Sequence, residues 1–112
     1  MIDSFVFGSF VVDGKKFDSN ISIINSVAKQ ARYLDGHLLV ESDFDKLIAA
    51  KPEIIIIGTG ASGVVRVQEE IRQLIESNGI RLIIERTGDA CDTFNDLVSK
   101  GRKVCAFLHN TC

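Results

Sequence analysis

Between Phe5 and Ile23 apolar and polar residues alternate in short runs separated by turn formers. Phe5-Val6-Phe7 and Phe10-Val11-Val12 flank Gly8-Ser9, and Asp13-Gly14 divides the second run from Lys15-Lys16-Phe17. Asp-Gly between alternating runs is a strong hairpin signal, because the favoured two-residue turn needs positive φ at both positions. Ile21-Ser22-Ile23 alternates once more before Asn25-Ser26. The pattern predicts β-strands and tight turns. From Val27 to Val40 the period is ambiguous. Val27, Ala28, Ala31 and Leu34 fit one helix face, while Tyr33, Leu34, Leu38, Leu39 and Val40 serve equally in strands. Asp35-Gly36 interrupts any long helix, so extended structure is the expectation here.

Beyond Val40 helical and strand periods alternate. Ser42-Asp43-Phe44-Asp45 has the form of a capping box with Asp in the acidic place, opening a short helix with Phe44, Leu47 and Ile48 on one face. Lys51-Pro52 stops it, since the residue before proline avoids the helical region. Ile54-Ile55-Ile56-Ile57 is apolar on both faces, the mark of a central parallel strand. After a loop from Gly58 to Gly63, a helix is predicted from Val65 to Asn78, with Val67, Ile71, Leu74 and Ile75 on its apolar face and Asn78-Gly79 at its end. A strand from Ile80 to Glu85 follows. A second amphipathic helix from Asp89 to Lys100 buries Cys91, Phe94, Leu97 and Val98, and a strand from Lys103 to Leu108 completes the pattern. Three strands joined by two helices make a βαβαβ unit, which right-handed crossovers lay parallel in one sheet. No repeat or linker divides the 112 residues. The expectation is a single α/β domain, with a β-rich first part packed on the α/β half.

Charge narrows the partners. Thirteen Lys and Arg are scattered among fifteen Asp and Glu, for a net charge of −2. Affinity for a phosphate backbone needs a clustered cationic surface, so nucleic acid is excluded as a partner. Met1-Ile2-Asp3-Ser4-Phe5 has neither the basic nor the apolar segment of a secretory signal. The longest wholly apolar run, Val104 to Leu108, falls far short of the ~20 residues of a membrane span. A cytoplasmic protein without a membrane segment is the expectation. Cys91, Cys105 and Cys112 have no CxxC spacing and no paired histidines, which argues against structural zinc. An odd count leaves one thiol free, and whether the other two pair is open.

Gly58-Thr59-Gly60-Ala61-Ser62-Gly63 is a GxGxxG sequence between a buried strand and a helix, and Glu85 ends the next strand where a ribose-binding acid would stand. Such a loop offers backbone N–H groups and a helix N-terminus to an anion. Only 27 residues follow Glu85 (112 − 85), too few for a second mononucleotide-binding half. A smaller anion remains the better match, and no cofactor is assigned. The carboxyl ends of the parallel strands bring Thr59 and Gly60, Arg86 and Thr87, and His109 and Asn110 to one rim. Arg86 suits a carboxylate or phosphate, and His109 suits proton transfer near neutral pH. The candidate ligand site is therefore Gly58, Thr59, Gly60, Ser62, Gly63, Arg86, Thr87 and His109. Cys91 falls in the first turn of a helix, but Asp89, Asp92 and its apolar spacing favour core packing over a reactive thiolate. His37 has no catalytic partner nearby in sequence, and Ser62 lacks the GxSxG setting of a hydrolase nucleophile. No catalytic residue or metal ligand is assigned.

Pro52-Glu53-Ile54 through Gly63, Arg86 through Asn95 and Arg102 to Cys112 resemble a family of small domains. Its eukaryotic members include a mitochondrial complex I assembly factor and an adipogenesis-associated protein. The resemblance rests on Gly58-Thr59-Gly60, on the spacing of Thr87, Ala90, Thr93, Phe94 and Asn95, and on Gly36-His37 before a Leu-rich stretch. Around Arg32 and Tyr33 the chain lacks the tryptophans of many relatives. The resemblance implies a three-layer α/β fold with a central mixed sheet and an additional β layer from the first part of the chain. It implies no established enzymatic activity. Two functional expectations follow. One is a non-enzymatic protein-interaction or assembly module, with an apolar patch supplied by Phe5, Phe7 and Phe10. The other is a small anionic-ligand-binding protein or enzyme using the glycine loop with Arg86 and His109. The first is favoured, because no acid, base and nucleophile converge in the sequence.

Overall fold

The chain folds back at Asp13-Gly14 as expected, and again at Asn25-Ser26. Asp13, Gly14, Asn25 and Ser26 all have positive φ, at 49°, 81°, 50° and 63°, the conformation of two-residue hairpin turns. In the computed structural model, which describes residues 1–112, β1 (Ile2–Val6), β2 (Ser9–Val12) and β3 (Lys15–Phe17) form an antiparallel meander. β4 (Ile21–Ile24) and β5 (Val27–Gln30) form the second hairpin, which belongs to a separate five-stranded sheet. β6 (Ile54–Gly58) lies at the heart of that sheet, parallel to both β7 (Arg81–Glu85) and β8 (Val104–Leu108). β4 joins antiparallel to β8, so the order β5-β4-β8-β6-β7 is a mixed sheet containing the parallel unit.

Every residue of β6 and β8 is buried, because both faces of the sheet are covered. Ile54, Ile56, Val104, Ala106 and Leu108 point toward the meander and helix α3 (Thr87–Ser99), where they meet Phe10, Phe17, Cys91 and Phe94. Ile55, Ile57, Cys105 and Phe107 point the other way, toward helices α1 (Asp45–Ala49) and α2 (Glu69–Glu76) and the connection between β5 and α1. The result is three layers, with the central sheet between the meander plus α3 on one side and α1 plus α2 on the other. Asn95 of α3 ties the meander down. Its Nδ2 donates to Ile2 O at 2.8 Å and its Oδ1 accepts from Ile2 N at 2.9 Å, as a neighbouring strand would.

Several boundaries differ from the sequence reading. The predicted helix from Val65 begins only at Glu69, because the backbone before it is extended, with Gln68 at φ −65° and ψ 154°, and is tied to other segments. Val64 N–H bonds Cys112 O at 2.9 Å, Val65 N–H bonds Thr59 O at 3.0 Å, and Arg66 bridges to Leu38. The helix expected from Asp89 starts earlier, at Thr87, whose N–H has Gly60 O as its acceptor at 3.0 Å. Ser42 is not the cap before α1. A 3-10 turn over Glu41–Phe44 precedes the helix, and Asp43 closes it by accepting Val40 N–H at 2.8 Å while Asp43 N–H returns to Val40 O at 3.0 Å. The stretch after β5 is not extended throughout, since Asp35–His37 forms another 3-10 turn. The expected Phe5, Phe7 and Phe10 patch does not form. Phe10 is fully buried, Phe5 stacks on it at 5.0 Å between ring centroids, and only Phe7 stands exposed.

All three cysteines are free thiols. Cys91 and Cys105 lie on opposite faces of the central sheet. Burial, with the charge of Asp92, pushes the Cys91 thiol up to about 12, which leaves it an inert core group.

Candidate functional site

The glycine loop begins where β6 meets its neighbours. A Cβ on Gly58 would come within 2.9 Å of Leu108 Cδ2 and of Thr87 Oγ1, so the strand end requires glycine for close packing. Gly60 turns the chain with φ of 106°, and a Cβ there would stand 2.3 Å from the carbonyl carbon of Cys112. Between them Thr59 is pinned to β7, its N–H and its Oγ1 both donating to Glu85 O at 2.9 and 3.1 Å.

Residues 109–112 then run along this loop and occupy it. His109 N–H bonds Gly58 O at 3.0 Å, Ala61 N–H bonds Thr111 O at 2.7 Å, and Val64 N–H bonds Cys112 O. Gly60 N–H goes to Thr87 Oγ1 at 2.8 Å, and Gly63 N–H to Gly60 O at 3.2 Å. Of the loop's N–H groups only that of Ser62, exposed at the tip, has no partner in the chain. Nor does the loop open a helix, since α2 starts six residues past Gly63 (69 − 63). The glycines thus serve close backbone approach.

Thr87, fully buried at the start of α3, is the polar pivot of the rim. Its hydroxyl accepts from Gly60 N–H and donates to His109 O at 2.8 Å. The His109 ring is buried as well and faces Asn20. Asn20 Nδ2 donates to Arg32 O at 3.0 Å and its Oδ1 accepts Asn110 N–H at 2.9 Å, so the oxygen of the amide faces the ring. The 2.8 Å contact to His109 Nδ1 then assigns the proton to Nδ1, and Nε2 is left to accept from Thr111 Oγ1 at 3.1 Å. Burial, and beside it the ring of His37, holds the imidazole below its ordinary pKa. His37 stands edge-on to His109, with centroids 5.4 Å apart and its Nε2 3.6 Å from Cys112 Sγ.

The rim therefore gathers the residues expected there, in unequal states. Gly58, Thr59, Gly60, Thr87 and His109 are buried structural members. Arg86 and Ser62 are exposed, with the Arg86 side chain lying 3.4 Å from where a Gly63 Cβ would be. Sequence reasoning missed Asn20, which reads as one more turn residue after Asp18-Ser19. It missed the Arg32–Asp43 pair too, whose Nε–Oδ1 and Nη2–Oδ2 contacts of 2.8 and 2.9 Å pin the 3-10 turn. A concavity of about 620 Å³ lies away from the rim, beside β4 and β5, where Ile24, Val27, Ala31, Leu47 and Phe107 contribute its apolar lining.

Three large apolar side chains stand exposed around residues 109–112, alongside the exposed Arg86 and Ser62. Gly8 N–H bonds Asn110 O at 2.7 Å and Asn110 Nδ2 donates to Gly8 O at 3.1 Å, which brings the tip of the first hairpin to the rim with Phe7 66% exposed. Leu38, next to His37, and Val64, bonded to Cys112, are 56% and 45% exposed.

These features define a mixed α/β protein of three layers whose carboxyl rim is sealed by its own backbone. The chain belongs to the family described as "Protein of unknown function (DUF498/DUF598)", which matches residues 2–109. It is 29% identical over 110 residues to NADH dehydrogenase [ubiquinone] 1 alpha subcomplex assembly factor 3 of Xenopus tropicalis, and 28% identical over 109 residues to the human protein of that name. Each alignment covers 96% of this chain but 59% of the assembly factor's length. A 13 kDa major membrane protein of Francisella tularensis is 29% identical over 108 residues, covering 93% of this chain and 85% of that protein. Among solved structures, an outer membrane protein from Bartonella henselae superposes with a TM-score of 0.87 at 27% identity, covering 99% of this chain and 94% of that one. A conserved hypothetical protein from Pyrococcus horikoshii shares the fold, with a TM-score of 0.88 at 24% identity over 100% and 99% of the two chains. No helix of the present structure is long and apolar enough to cross a membrane.

Proposed function

We propose that the chain is a non-enzymatic protein-interaction module of the assembly-factor kind, with the carboxyl rim as its contact face. The observation that carries this reading is the division of the rim into an inside and an outside. Inside, Thr59, Thr87, His109 and Asn20 are hydrogen-bonded within the chain; outside, Phe7, Leu38 and Val64 are offered to solvent. Exposed apolar side chains bordering a self-satisfied polar network fit a protein partner better than a charged metabolite. The alignment of nearly the whole chain with assembly factors of a respiratory complex supports the same reading.

The test is affinity capture of the tagged chain from its host, compared with Phe7→Asp and Leu38→Asp at unchanged melting temperature. A partner held by the wild type and lost by both variants is the expected result. Identical capture by all three proteins would remove the rim from the interface.

A second reading has its own observation. Arg86 is exposed and takes part in no ion pair, and it lies along Gly63, the residue after Ser62 with its free N–H. In this reading Arg86 and Ser62 grip a small carboxylate or phosphate, while Gly58, Thr59, Gly60, Gly63, Thr87 and His109 hold the loop in shape. Such a ligand at 100 times its Kd raises unfolding free energy by about 2.7 kcal/mol, a shift that Arg86→Ala abolishes. A flat thermal-shift screen against phosphates and small carboxylates rejects it.

A further inference from the structure

β7 closes one edge of the central sheet and pairs only with β6. Arg81 N–H bonds Glu53 O at 3.1 Å, and Glu85 O accepts Thr59 N–H. Arg81, Ile83 and Glu85 therefore turn their peptide groups toward β6. Leu82 and Ile84, between them, present N–H and C=O outward with no partner in the chain. Such an edge is a template for another strand. Its middle is apolar and partly exposed, and its ends carry opposite charges. Neither Arg81 nor Glu85 takes part in an ion pair, and Glu85 Oε1 is buried without a hydrogen-bond partner. The opposite edge, β5, is a different surface, short and interrupted by an exposed Lys29.

We infer that β7 pairs antiparallel with β7 of a second copy of this chain, about a two-fold axis at Ile83, and joins the two five-stranded sheets into one. In that register Leu82 faces Ile84 of the copy. Both turn their peptide groups outward, so each of the two pairs exchanges two N–H···O bonds. Ile83 faces Ile83, and Arg81 faces Glu85 at both ends, in the non-hydrogen-bonded positions where side chains approach most closely. Sliding by two residues keeps the hydrogen-bond phase but sets Arg81 or Glu85 against Ile83. A parallel pairing would oppose like charges. The charge pattern thus selects one self-complementary register.

Light scattering coupled to gel filtration, with sedimentation at several concentrations, tests this. The wild type is expected at twice the 12.3 kDa of the chain. Arg81→Glu alone and Glu85→Arg alone shift it toward monomer, and the double swap Arg81→Glu/Glu85→Arg restores the dimer. In the wild type, the amides of Leu82 and Ile84 exchange more slowly as concentration rises. That readout needs no variant, and it decides the matter even if a reversal unfolds the chain. A protein that stays monomeric up to about 0.5 mM overturns the inference. So does a dimer indifferent to both single reversals, or one in which the Leu82 and Ile84 amides stay unprotected.

Discussion

Thr87 has no exposed surface, and its single hydroxyl serves two backbone groups of the rim, Gly60 N–H and His109 O. Valine matches its shape and serves neither. Thr87→Val is expected to lower unfolding free energy by about 2–4 kcal/mol, because two buried backbone groups lose a partner. Thr87→Ser keeps the hydroxyl and should lose only about 1 kcal/mol for the missing methyl. Equal losses in denaturant titrations would mean that packing, not hydrogen bonding, is what the residue supplies. His109 makes a related prediction in pH. Its folded pKa lies below the ordinary value, so the unfolded chain binds the proton more readily. The stabilisation from keeping the ring neutral is complete above about pH 6.5, the unfolded value, and is lost as pH falls toward the folded pKa. Stability should therefore decline on acidification from about pH 6.5. His109→Gln should flatten that part of the profile, and a variant profile of unchanged slope would assign the decline to other groups.

At the scale of elements, polar clamps stand where apolar periodicity says nothing. Asp43 is the clearest case: its side chain is 3% exposed and receives Val40 N–H and two contacts from Arg32. Arg32 in turn caps Tyr33 O at 3.0 Å and Leu38 O at 2.9 Å, so one ion pair organises the whole connection from β5 to α1. Asp43→Ala should cost about 1–2 kcal/mol, since the carboxylate accepts charge-assisted bonds but its partner Arg32 is 41% exposed and screened by solvent. Arg32→Lys should not preserve it, because an ammonium cannot span the carboxylate and two carbonyls at once. Hydrogen exchange at Val40 and Asp43 would show whether the turn opens locally or the chain unfolds as a whole. This clamp also marks how far the sequence is legible. The parallel unit can be read because Ile54–Ile57 and Val104–Leu108 are apolar on both faces, and the first turn because Asp13-Gly14 suits positive φ, whereas Ser26 at φ 63° gives no such signal. The start of α2 cannot, since Val64 and Val65 are held by Cys112 and Thr59, partners distant or invisible to a local pattern. The same holds for the rim. Strand order gathers Thr59, Thr87 and His109, but only the three-dimensional structure shows that residues 109–112 fill the glycine loop.

For the whole molecule the question is whether the three-stranded meander is an appendage or part of the structure that must fold together. Its inward residues Ile2, Phe10, Val12 and Phe17 have no separate core. They share one cluster with Ile54 and Ala106 of the central sheet and with Cys91 and Phe94 of α3. Phe10 and Phe94, from different layers, are each buried to 2% exposure or less. Truncating either should open a cavity in the same cluster, so Phe10→Ala and Phe94→Ala should each cost about 3–5 kcal/mol. Both should leave a single transition with an unchanged denaturant slope. An appended flap would behave otherwise. Phe10→Ala would then barely move the main transition, and a second, earlier one would appear in the exchange of β1 and β2 amides while β6 and β8 stayed protected. The Asn95 bridge to Ile2 favours the first outcome, because it extends α3's grip to the strand farthest in sequence from it. Coincident loss of protection in the meander and the central sheet would show that the layer presenting Phe7 at the rim is as rigid as the sheet behind it. A binding face on that hairpin then needs no ordering step before it meets a partner.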